Sequence, residues 1–156
     1  MKTKATIMMS GLIFLGTVLF GGMTRPVFAA GTLVSVTSHA SFTTTVAKFK
    51  KLVAKNGMMI LGMLNQGKVM GMTGLRLKSE TFFVGNPTMG KKLFSARKGV
   101  GVVIPVRVNI YQNSHGKTVV SYLEPSKELA VFHDPMLVKM GMMMDKNLAM
   151  MTGMLK

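Results

Sequence analysis

Residues 100–123 read VGVVIPVRVNIYQNSHGKTVVSYL, two β-branched runs joined by a polar, glycine-closed turn. Val100 to Tyr111 reads as one long strand. Pro105 within it has no N–H to give a ladder and marks an edge position or a bulge. Gln112 to Gly116 supplies the turn, and Lys117 to Leu123 returns as the hairpin partner. Upstream, Gly85-Asn86-Pro87 closes a short strand, Thr81 to Val84, and Pro87 suits the first turn of a helix to about Ala96 with Met89, Leu93 and Phe94 inward. Met58 to Leu64 reads as another strand with Asn65-Gln66-Gly67 as its exit. Lys68 to Lys78 fits no single element, because Gly71 and Gly74 weaken a helix. Further upstream, Ser41 caps an amphipathic helix in which Phe42, Val46, Phe49, Leu52 and Val53 recur at helical spacing. Asn56-Gly57 stops that helix. Thr32 to Ser38 alternates as a first strand. Downstream, Glu124-Pro125-Ser126 leads into a helical turn ending near His133, and Pro135 opens a last helix. With no linker and no repeat, the expectation is one compact α+β domain: a mainly antiparallel sheet packed against helices, plus a C-terminal helix.

The first 29 residues carry a different pattern. Lys2 and Lys4 precede the apolar run Gly11–Phe20, which is too short to span a bilayer, and Val27-Phe28-Ala29 offers small residues one and three places before a cut after Ala29. The expected organisation is therefore a signal peptide at 1–29, an α+β domain at 30–133 and a methionine-rich amphipathic helix at 134–156. The expected location is the periplasm or the medium. An uncleaved membrane anchor is the alternative.

Composition narrows the chemistry. There is no cysteine, which excludes disulfides, thiolate metal sites and a catalytic thiol. Removing Lys2, Lys4 and Arg25 leaves 17 basic residues against five acidic ones, a net charge of +12. Such a field attracts anionic surfaces, while export argues against nucleic acid as the partner. A fold depending on so few carboxylates is expected to tolerate acid.

Several stretches carry a family likeness: the first helix with its Asn56-Gly57 exit, Phe82-Phe83-Val84-Gly85-Asn86-Pro87 followed by Gly90, Gly101-Val102-Val103-Ile104-Pro105-Val106-Arg107-Val108, and Ser121-Tyr122-Leu123-Glu124-Pro125. Over about residues 32–133 the chain resembles the domain-of-unknown-function 302 family. The resemblance implies a compact sandwich of a sheet and helices, often dimeric, with no established activity. Some relatives carry a histidine near the exit of the second strand; here Asn65-Gln66 stands there. The tail after His133 falls outside this likeness.

No nucleophile elbow, Walker loop or dinucleotide fingerprint occurs, so the chain reads as a binding or interaction protein rather than an enzyme. His39, His115 and His133 are far apart in sequence, and His133-Asp134 could pair at a helix end. Arg107, in an apolar strand, needs a partner: either an ion pair with Glu124, or an anion site built together with the Asn86 loop. Fourteen methionines follow Ala29, eight of them in the last 21 residues. On a helix, Leu137, Gly141, Met144, Leu148, Met151 and Leu155 form one seam. Met136, Met140, Met143, Asn147, Met150 and Met154 form the row beside it. Three readings stay open. The thioethers pack against the core, a second copy or another exported protein. Or Met140, Met143 and Met144, with Met70 and Met72, hold Cu(I) or Ag(I) as the candidate cofactor. Or the Lys-flanked face docks on an anionic membrane surface. Noncovalent haem held by His and Met is a further alternative.

Overall fold

The computed structural model describes residues 32–156; the expected export signal at 1–29, with its cut after Ala29, lies outside the described residues. The strands are β1 (Leu33–Ser38), β2 (Met59–Asn65), β3 (Ser79–Gly85), β4 (Val106–Gln112) and β5 (Thr118–Leu123). They form one antiparallel sheet in the order β1-β5-β4-β3-β2. The helices are α1 (Phe42–Lys55), α2 (Gln66–Gly71), α3 (Pro87–Ala96), α4 (Pro125–Leu129) and α5 (Pro135–Gly153), with 3-10 turns at Lys98–Val102 and Ala130–Phe132. The α+β architecture expected from the sequence is present.

Local chemistry sets the boundaries. Ser41 Oγ accepts the Thr44 N–H at 3.2 Å and opens α1; Asn56 caps its end, and Gly57 takes a φ of 66° that would strain a side chain. Asn65, Asn86 and Asp134 cap α2, α3 and α5 in the same way, each accepting a backbone N–H from the first turn. The ambiguous segment after β2 thus begins inside a six-residue helix, because the Asn65 cap outweighs its glycines, and then runs as a turn over 72–74 and irregular chain to β3.

The core lies on one face of the sheet. Val46, Phe49 and Val53 of α1, Leu93 of α3, and Leu137, Leu148 and Met151 of α5 pack on Phe82, Val84, Val106, Val108, Ile110, Val120 and Tyr122. The rings of Phe49 and Phe82 sit 5.4 Å apart and tilted. The C-terminal helix is part of this core. The heptad-like seam read from the sequence is the one that turns inward: Leu137, Gly141, Leu148, Met151 and Leu155 are buried.

Two sequence expectations are corrected. The long strand does not begin at Val100. Residues 98–102 form a 3-10 turn that seats Val100 in the core, and β4 starts at Val106. The reason is Pro105: β4 lies between β3 and β5, where both edges need ladder groups, so the proline is placed just before the strand. Phe94 is not inward either; it is exposed and lies over Gly101 at the end of α3.

Candidate functional site

A cavity of about 410 Å³ opens where α1 ends, β3 turns into α3, and α5 crosses. Its floor is Val84, Val106 and Leu148, all buried. Three half-buried thioethers line it: Met58 from the entry to β2, Met89 from α3 and Met144 from α5. The rim is polar, with Asn86, Thr88, Lys92 and Asn147 exposed.

The rim is held by backbone chemistry. Asn86 Oδ1 accepts the Met89 N–H at 3.0 Å, and its Nδ2 donates to the Gly57 carbonyl at 2.8 Å. One side chain therefore starts α3 and ties it to the end of α1. Asn56 Nδ2 donates to the Leu52 carbonyl at 2.7 Å. The two asparagines are occupied, which leaves Lys92, Thr88 and Asn147 to meet a ligand. Neither Lys92 nor Asn147 makes an ion pair or side-chain hydrogen bond among the described residues. An apolar floor with a few polar groups on one side is the usual make-up of a small-molecule pocket.

The expected site residues separate. Arg107 projects from the opposite face of the sheet to the cavity, so it builds no anion site with Asn86. Its partner is Glu128 of α4 rather than Glu124, at 3.7 Å between Nη2 and Oε1. Burial pushes the Glu128 carboxyl above its ordinary value, and the Arg107 guanidinium works against that shift. Of the proposed tail ligands, Met140 is buried in the core at 8% exposure, Met143 is 53% exposed, and only Met144 reaches the cavity. Neighbours at i and i+3 diverge here because the helix keeps its core-facing arc to one side of Met143. Met70 is half-buried at the end of α2 and Met72 is 84% exposed beyond it. The five methionines do not form one cluster.

His39, His115 and His133 are all exposed, and Asp134 spends its carboxylate on the Met136 and Leu137 N–H groups rather than on His133. Among the described residues, no three His, Asp or Glu side chains gather to hold a metal ion, and no helix is long and apolar enough to cross a membrane. Sequence reading missed the meeting of Met58, Met89 and Met144. Its only trace was the inward phase of Met89 on α3 and of Met144 in the tail seam.

The sequence model of the family described as "Domain of unknown function DUF302" matches residues 34–156. The match runs through α5, so the tail read as lying outside the likeness falls inside it. A solved structure described as "uncharacterized conserved protein DUF302 from Bacillus stearothermophilus" is similar, with a TM-score of 0.76 and 19% identity, covering 81% of this chain and 100% of that one. At that identity the likeness is one of fold. No functionally curated protein matches.

Proposed function

This chain belongs to the DUF302 family, whose description assigns no activity, and from that premise we propose that it is a binding protein whose site is the thioether-lined cavity between Asn86 and α5. The ligand is a small, mostly apolar molecule carrying one anionic group. The observation that carries the reading is the cavity's asymmetry: a floor of Val84, Val106 and Leu148, and a single cation, Lys92, at the mouth. Apolar contact supplies affinity, and the ammonium fixes orientation. Methionine walls adapt to ligand shape because the side chain is unbranched and polarizable. The pattern from Lys2 to Ala29 is the support for placing the protein in the periplasm or the medium.

The test uses 8-anilinonaphthalene-1-sulfonate, an apolar anion of suitable size, followed by amide NMR. Shifts centred on Asn86, Thr88, Lys92 and Asn147 are expected, weakened by Lys92→Gln and lost on filling the cavity with Met144→Phe. Shifts spread over other apolar surface, indifferent to both variants, would overturn the reading.

A second reading has its own observation. Met58, Met89 and Met144 line one cavity from three separate elements, and thioethers are the soft ligands that suit Cu(I). In this reading the copper ligands move from the tail to the cavity.

A second copy is the proposed protein partner. Among the described residues β2 pairs only with β3, so its other edge is free. Residues 58–66 carry no charge in a chain of net charge +15, and Met59, Leu61, Met63 and Leu64 are exposed along it. Neither a charge nor a proline guards this edge, whose register is interrupted only at Leu61, and an apolar edge of this kind pairs readily with another strand. Self-pairing there brings no like charges from the strand together.

A further inference from the structure

The face of the sheet opposite the core holds a second concavity, separate from the cavity above, with Gln66 of α2 and Glu128 of α4 among its lining. Register sets its composition. Thr81 lies opposite Asn109, Phe83 opposite Arg107, and Asn109 opposite Ser121, so these side chains share one face. They line a groove of about 440 Å³ whose apolar walls include Leu33 and Leu64 from the two edge strands. A half-covered sheet ordinarily alternates apolar and polar residues along each strand. Here Thr81, Asn109 and Ser121 share the floor with Phe83 and Leu123, and a guanidinium stands among them.

That guanidinium is under-used. Arg107 is 59% exposed, and its one carboxylate contact, to Glu128 at 3.7 Å, is longer than a charge-assisted hydrogen bond. Glu128 is the less exposed partner at 16%, fixed on α4. Arg107 therefore has N–H donors free to face the groove. Planar, forked and always charged, an arginine matches a carboxylate in two parallel hydrogen bonds.

We propose that this groove binds an organic carboxylate with an apolar body, its anionic end on Arg107 beside Asn109 and Ser121 and its body along Phe83 towards Leu64. Glu128 holds Arg107 loosely in the empty groove and competes with the incoming anion. It is a positioning residue for Arg107 and a brake on affinity.

Octanoate is the probe, titrated into the full-length protein and followed by amide NMR, with octanol and octylammonium as controls. Octanoate is expected to shift Arg107, Asn109 and Ser121, and both controls are expected to bind more weakly. Arg107→Met should weaken octanoate by about tenfold or more, the range for losing a hydrogen bond to a charged group. Arg107→Lys should fall between. Glu128→Gln should tighten binding, a result that a merely structural pair would not give. Equal affinity for octanol, preference for octylammonium, weaker binding by Glu128→Gln, or shifts confined to Asn86 and Met144 across the sheet would each overturn the proposal. The last outcome would leave the cavity reading intact. Arg107 is exposed, so circular dichroism is expected to show both of its variants folded.

Discussion

Gly141 of α5 lies so close to Ser126 of α4 that a Cβ on it would stand 2.5 Å from Ser126 Cα and 2.7 Å from Ser126 N. One turn further on, Asp145 Oδ1 accepts the Ser126 N–H at 3.2 Å. The two helices thus meet backbone to backbone, and the contact also sets where α4 carries Glu128. Gly141→Ala would gain about 1 kcal/mol of helix propensity. It would lose more, because neither backbone atom is a flexible chain end; overpacking of this kind costs about 1–3 kcal/mol. The expected outcome is a lower thermal midpoint with secondary structure retained. A midpoint at or above the parent's would show that α4 gives way freely.

Asn86 joins two elements through one carboxamide, so its variants separate the two roles. Asn86→Ala should cost about 1–2 kcal/mol in urea denaturation, from the lost cap and the lost bond to the Gly57 carbonyl. Asn86→Asp keeps the acceptor that caps Met89 and loses the donor, so it should cost less. Equal costs would mean that the cap contributes little.

Much of the fold was legible because periodicity and caps are local. The inward seam of α5, the Ser41 start and Asn56-Gly57 stop of α1, and the β4–β5 hairpin all follow from residues within a few turns of one another. What failed was tertiary. Pro105 marks a break, but only the place of β4 between β3 and β5 starts the pairing at Val106, and a six-residue helix at Gln66 depends on one cap. The placing of the methionines was out of reach for the same reason. Met140, Met143 and Met144 are close in sequence but face the core, the solvent and the cavity respectively. Met58 and Met89 join Met144 only because three elements converge.

That separation makes the copper reading decidable. Met140→Leu and Met143→Leu should leave Cu(I) affinity unchanged in competition with a chelator, and stability nearly so, because the exchange conserves volume. The combined Met58→Leu, Met89→Leu and Met144→Leu variant should lose more than about tenfold, since even partners behind a ligand shell shift affinity by about that much. Retained affinity in that triple variant would remove the cavity from consideration as the copper site.

Leu61→Lys tests the free edge of β2. A charge in the middle of an exposed strand is a guard against edge pairing, and Leu61 is exposed, so the fold should survive. Sedimentation should show the parent as a dimer and the variant shifted towards the monomer. A monomeric parent would sink the pairing along β2.

Acid should be tolerated, and Glu128 should help rather than hinder. Its carboxyl titrates above the ordinary value of 4.5 in the fold because burial disfavours the charged form, with Arg107 opposing. Between the ordinary value and the raised one, the folded chain holds a proton that the unfolded chain has released. Stability therefore falls as pH rises through that window and is recovered as pH drops below it. The usual carboxylate, held low by a partner, behaves the other way. Arg107–Glu128 is the one ion pair among the described residues. Tyr122 acts at the other end. Burial raises its hydroxyl, the Thr152 hydroxyl resists, and Asp145 and Glu124 add to the rise, so its contribution is lost only above the ordinary value of 10.0. Urea midpoints measured from pH 7 to pH 4 should hold or rise in the parent, and Glu128→Gln should remove the rise. A steep fall over that range would mean that carboxylates other than Glu128 stabilise the fold through contacts of their own.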